Sequence, residues 1–297
     1  MALFKKKTTL VHHVTYMGLM AAINVAFIAL ATFVAPLMFL LILILPFAST
    51  IVSYYCLKRY YLIYAVASVG LCLLFNPADT IFYVVPAIIT GFVLGVLLEN
   101  QIHPFWLIMS STIINAGLTY AFIPLINLIS GSDIVTAFLT IIGLNDFVYR
   151  NEIVFLLIFT ISLMQCVLTN FVLLSDAKKI GIIINTRIAS FVPYIFGLET
   201  SILLSLIFGF FYFSIALVFL AISFCFALFI VYYLLFCKKI VIYVLLGVSL
   251  FSSIVLFAVF YSLIIEPYGI ILCLIFPMFV TLVSFINIYL PKRINNI

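Results

Sequence analysis

Residues 203–236 read LLSLIFGFFYFSIALVFLAISFCFALFIVYYLLF, 34 residues without one charged side chain. A helix needs about 20 apolar residues to cross the hydrocarbon of a bilayer, so the run is too long for one upright span. It is also too apolar to face water. It reads either as two spans joined by a turn near Gly209 to Ser214, or as one long tilted span. Lys238 and Lys239 follow it after Cys237, and the placement of such basic residues decides between the two readings.

The rest of the chain has the same character. Of its 297 residues 68% are apolar and 7% are charged, against roughly half and about a quarter in an ordinary soluble domain. So few charged side chains cannot clothe a surface of that size, and lipid must be the solvent for most of the exterior. The expected fold class is all-α, a polytopic transmembrane helix bundle of about ten helices, within a range of about eight to ten. Charge, Pro, Gly and Asn divide the apolar runs into spans near 14–35, 37–57, 60–76, 81–98, 104–129, 152–175, 191–212, 214–237, 240–264 and 269–290.

Lys and Arg set the expected orientation, because they are retained on the cytoplasmic side. With the N-terminus inside, the inner connections hold Lys5, Lys6, Lys7, Lys58, Arg59, Lys178, Lys179, Arg187, Lys238, Lys239, Lys292 and Arg293, and of the 13 basic residues Arg150 alone falls outside. A nine-helix chain would misplace whole basic clusters, so the ten-helix form is preferred, with both termini cytoplasmic in a multi-pass plasma-membrane protein. The segment 14–35 follows a basic triplet and contains Ala29-Leu30-Ala31, but it is about twice the length of a signal-peptide core and is read as a retained helix. The connection 176–189 separates a six-helix half, 1–175, from a four-helix half, 190–297. The outer connection 130–151 is long enough to carry a helix of its own.

The net charge of +5 does not point to nucleic acid, since the basic residues lie in pairs and triplets between apolar runs. The six cysteines show no paired CxxC spacing and read as buried thiols rather than as a disulfide framework or metal site. No catalytic motif, nucleotide-binding loop or metal-ligand spacing occurs, so no enzymatic role, cofactor or metal is expected.

Polar residues at membrane depth are the candidates for function, because each costs free energy that something must offset. Asn24, Asn115 and Gln165 lie within spans, and Glu199 lies in the inner third of its span. Asn76 and Asp79 belong to an outer cluster with Asn127, Asp133, Asn145, Asp146 and Arg150. A ligand pocket is expected near the outer face from Asn76, Asp79, Asn115, Asn24 and Gln165, capped by the connection 130–151. The alternatives are interhelical hydrogen bonding for the amides and solvated loops for the outer cluster. Glu199 is read either as paired with Arg187 near the inner interface or as a protonated acid in the bundle. Small residues at four-residue spacing make flat helix faces. Gly91 and Gly95 form one, and Gly18, Ala22 and Ala26 form another, which is a candidate docking face for a membrane subunit.

Residues 8–77, TTLVHHVTYMGLMAAINVAFIALATFVAPLMFLLILILPFASTIVSYYCLKRYYLIYAVASVGLCLLFNP, followed by VVPAIITGFVLGVLLE at 84–99, resemble the six-helix S components of energy-coupling factor transporters. That similarity covers about the first 175 residues. The whole chain, through FVPYIFGLE at 191–199, VYYLLFCKK at 231–239 and SFINIYLPKRI at 284–294, resembles the larger YybS-like membrane proteins. Asn287 stands where that family is expected to carry Asp. The resemblance implies a solute-binding, transport-associated membrane subunit without its own ATPase. Its implied partners are a small-molecule solute and, through the Gly18, Ala22 and Ala26 face, a membrane coupling subunit with associated ATPases. An interaction or assembly protein of the cell envelope is the alternative, and a self-contained secondary transporter is the third reading.

Overall fold

The computed structural model describes residues 9–34, 44–141, 148–175, 192–235, 239–261 and 268–289. Lys5, Lys6, Lys7, Asn145, Asp146, Lys178, Lys179, Arg187, Lys238, Glu266, Lys292, Arg293 and the first part of the expected span 37–57 lie outside them. The described residues form 11 α-helices of eight residues or more and no strand. These are α1 (Leu10–Phe33), α2 (Pro46–Tyr55), α3 (Tyr61–Leu73), α4 (Val85–Glu99), α5 (Pro104–Ser130), α6 (Ile134–Ile141), α7 (Arg150–Ser175), α8 (Val192–Phe211), α9 (Phe213–Leu235), α10 (Ile240–Tyr261) and α11 (Ile275–Tyr289). Among the described residues eight helical segments are long and apolar enough to cross a bilayer, so the chain is an all-α, multi-pass membrane protein.

Local chemistry places the helix ends. The Thr9 hydroxyl accepts from the His12 amide at the start of α1, and His103 Nδ1 accepts from the Phe105 amide at the start of α5. Gly131 ends α5 with φ of 65°, where a Cβ would be strained. The long apolar run proves to be two helices. Tyr212 breaks it: its amide donates to Phe208 O at 2.7 Å, and its own carbonyl begins the first turn of α9. Ser205 of α8 donates to Ala216 O of α9 at 3.0 Å, which ties the resulting hairpin together. By contrast α3, at 13 residues, is shorter than the span expected over 60–76.

The chain separates into two compact units, Met1–Gly143 with Leu157–Arg187, and Leu144–Leu156 with Ile188–Ile297. The second unit therefore takes in the start of α7, which the sequence reading assigned to the first half. Two contacts account for this. The Tyr149 and Phe213 rings lie 4.9 Å apart, and Ser214 Oγ donates to Glu152 Oε1 at 3.5 Å.

Within the first unit, α2 and α4 touch backbone to backbone. Gly91 and Gly95 present their bare Cα atoms to Ser49 and Ser53, so small residues at four-residue spacing face each other on both helices. A Cβ at either glycine would fall 2.4 Å from a serine Cβ. Ser53 Oγ donates to Phe92 O at 2.9 Å, and the Tyr61 hydroxyl donates to Ile88 O at 2.7 Å. The GxxxG face is thus internal packing. At one end of this pair Lys58 meets Glu99 at 3.1 Å, across the basic turn that joins α2 to α3.

Gly91→Ala and Gly95→Ala should each destabilise the protein by about 1 to 3 kcal/mol, the usual range for overpacking. Gly117→Ala, whose Cβ would meet nothing within 4 Å, is the control. Thermal unfolding in mild detergent measures all three, and equal midpoints would refute the close approach.

Candidate functional site

A distortion at the start of α4 shapes the site. Asn76 caps the turn Pro77–Asp79, its Oδ1 accepting from the Asp79 amide at 3.1 Å and its Nδ2 donating to Asp79 Oδ2 at 2.6 Å. Residues Thr80–Val84 then wind as a π-helix, with the Val85 amide reaching back five residues to Thr80 O. Pro86 supplies the reason. It has no amide hydrogen to give to the preceding turn, so the regular ladder cannot form there. The widened turn carries Phe82 and Tyr83 toward α5 and α7, where they line a cavity of about 40 Å³.

Nine residues line that cavity and none is an acid or a base of the Asp, Glu, Lys, Arg or His type. Phe82, Tyr83 and Pro86 form one wall, and Ile158 and Ile161 of α7 form another. The polar groups are Asn115 and Thr119 of α5 with Ser162 and Gln165 of α7. Asn115 is 2% exposed, and its Nδ2 donates to Gln165 Oε1 at 2.6 Å. Its Oδ1 is buried and has no partner. An unmet carbonyl oxygen at membrane depth is costly, since no bulk water reaches it. The cavity has room for roughly three water-sized groups, which supplies the space for a donor.

The five residues expected to share one pocket fall into three places. Asn115 and Gln165 line the cavity between α4, α5 and α7. Asn24 lies in a separate network, where its Nδ2 donates to Tyr64 OH at 2.8 Å and to Ser68 Oγ at 3.1 Å, and Ser49 Oγ lies 3.0 Å from the same Tyr64 hydroxyl. That network joins α1, α2 and α3 as interhelical hydrogen bonds do. Asn76 and Asp79 bond to each other as a helix cap. Of the five, the cavity therefore takes in Asn115 and Gln165 alone. Asn127 is also a cap: its Oδ1 accepts from the Ile134 amide at 3.0 Å, at the start of the short helix in the connection 130–151.

The residues that sequence reasoning missed are Phe82, Tyr83, Pro86, Thr119, Ile158, Ile161 and Ser162. Pro86, a proline inside an otherwise regular apolar span, was the available signal. Gly18, Ala22 and Ala26 are all exposed, while Ala21 beside them is buried at 3%. Glu199 is exposed too, on the stripe of α8 that carries Phe196 and Leu203. Among the described residues no group of His, Cys, Asp and Glu could hold a metal ion, and Cys56, Cys72, Cys166, Cys225 and Cys273 are free thiols. No family model, no curated protein and no solved structure matches this chain.

Because the Gly18 face is outward, Ala22→Leu combined with Ala26→Leu should leave the unfolding midpoint in detergent within about 0.5 kcal/mol of the parent protein. A loss several times larger would mean that the face is packed internally.

Proposed function

We propose that this protein is a solute-binding, transport-associated subunit of the plasma membrane, of the YybS-like kind, with a first half similar to S components. It performs no chemistry of its own and has no ATPase, so energised transport would come from a coupling subunit with associated ATPases. The observation that carries this reading is the cavity between α4, α5 and α7, with the unmet Asn115 Oδ1 in its wall. Asn24 Oδ1 is likewise unmet, and what sets Asn115 apart is that it lines a cavity with room for a donor. The exposed Gly18, Ala22 and Ala26 face offers a coupling subunit a surface of close helix approach. The same exposed face, together with Glu199 on the outward stripe of α8, favours the second reading, an interaction or assembly protein that binds no solute.

Native mass spectrometry of the protein purified in mild detergent tests the first reading, since it reports a retained small molecule. Asn115→Leu should weaken binding of that molecule by a few-fold to about a hundred-fold, the worth of one to two desolvated hydrogen bonds. Unchanged affinity would remove the cavity as the binding site.

The orientation follows the basic residues, with both termini cytoplasmic. A cysteine at Ser132, which is exposed just after α5, should react with an impermeant thiol reagent in intact cells once the native cysteines are replaced. One at Arg59 should react only after permeabilisation. The opposite pattern would invert the topology.

A further inference from the structure

Three hydroxyls lie just beyond the cavity and have no partner. Thr90 of α4 and Ser111 of α5 are each 0% exposed, and Thr169 of α7 is 1% exposed. None of the three oxygens has a hydrogen-bond partner. Serine and threonine on a helix usually avoid this cost by donating to a carbonyl three or four residues back. Elsewhere in this chain they do so: Thr50 donates to Pro46 O at 2.8 Å, Ser223 to Leu220 O at 2.7 Å and Ser284 to Val280 O at 2.7 Å. Thr112, beside Ser111, is another Thr whose buried hydroxyl has no hydrogen-bond partner among the described residues, and all four belong to the first unit.

The chain direction fixes the level of Thr90, Ser111 and Thr169. The α5 and α7 helices run in opposite senses, because Asn115 bonds Gln165 while Thr119, further along α5, shares the cavity with Ile158, earlier along α7. The α4 helix returns into α5 through the short connection 100–103 and so opposes it as well. Four residues on from Pro86 is Thr90, four back from Asn115 is Ser111, and four on from Gln165 is Thr169. Each step advances about 6 Å along its helix in the same direction. The three hydroxyls therefore lie at one level of the unit, one turn beyond Pro86, Asn115 and Gln165.

Resting on the solute-binding reading above, we propose that Thr90, Ser111 and Thr169 form a second polar layer of the Asn115–Gln165 site, and that the two layers take a small uncharged solute bearing N–H or O–H donors. The Asn115 oxygen has no donor and so requires one from the guest. Phe82, Tyr83 and Ile158 accommodate the apolar side of such a molecule. An ionic solute would shed its hydration at this depth with no opposite charge among the lining residues to replace it. The hydroxyls can both donate and accept, which suits an amide or alcohol group entering from the cavity.

Acetamide, acetate and acetone have nearly the same shape but differ in charge and in donors, which makes them the probes. Saturation-transfer NMR on the full chain in detergent should show acetamide binding at least about tenfold more tightly than the other two, the worth of a desolvated hydrogen bond. Thr90→Val with Thr169→Val should weaken acetamide binding about tenfold, whereas the matching serine pair should retain it. Removing unmet hydroxyls breaks no bond within the protein, so the valine pair should unfold at or above the parent midpoint. If it fails to fold, Ser111→Ala gives the same readout. Acetate binding as well as acetamide would overturn the uncharged class, and an unaffected valine pair would overturn the second layer, with the cavity retained in both cases. Absence of binding by all three probes, or acetamide binding unaltered by Asn115→Leu, would overturn the solute-binding reading together with this one.

Discussion

Hydrocarbon offers a polar group no partner, and this constraint governs everything else in the molecule. Every backbone amide and carbonyl must be met inside its own segment, which leaves helices as the way for this chain to cross lipid. Every polar side chain that cannot reach water must find a partner on a neighbouring helix or turn back to its own. Tyr64 does the first, collecting Asn24 and Ser49 around one hydroxyl. Thr50, Ser223 and Ser284 do the second. Lipid tails are as apolar as leucine, so burial of apolar area adds little between helices. Close backbone contact has to supply the attraction instead. The meeting of Gly91 and Gly95 with Ser49 and Ser53 is such a contact, and it brings α4 against α2.

Once α4 is held on that side, its other side is free to depart from regular geometry. Pro86 interrupts the hydrogen-bond ladder, the preceding turn widens, and Phe82 and Tyr83 move into the space shared with α5 and α7. The same helix therefore carries a rigid seam and a cavity wall. Asn24 Oδ1 departs from that rule in its separate network, as do the Asn115 oxygen and the hydroxyls of Thr90, Ser111 and Thr169 beside and beyond the cavity. The grouping of the latter four about one cavity in one unit gives the functional reading its physical basis.

The second unit solves the same problem differently. A break of one residue at Tyr212 turns the longest apolar run into a hairpin, and Ser205 holds the two arms across the turn. Gly197 allows the Phe226 ring to approach as a side-chain Cβ would not. Its hydroxyls at Ser201, Ser223, Ser249 and Ser253 all return to their own helices.

The sequence by itself determined the solvent, the helical class, most of the span boundaries and the small-residue faces, because these depend on composition and on neighbours within one turn. The basic residues on either side of 203–236 favoured a break near Gly209 to Ser214 over one long tilted span, and Asn76 with Asp79 could be placed in one outer connection because they stand three residues apart. Pairings across helices were not legible. Asn115 and Gln165 are separated by 50 residues and Asn24 and Tyr64 by 40, and nothing local distinguishes an amide that meets another amide from one that meets a phenol. The outward direction of Gly18, Ala22 and Ala26 was equally undecided, since a stripe of small residues fits a buried seam and an open face alike. Tertiary packing chose between them, because which helix lies against which is set by the sum of many weak contacts rather than by any one residue's chemistry.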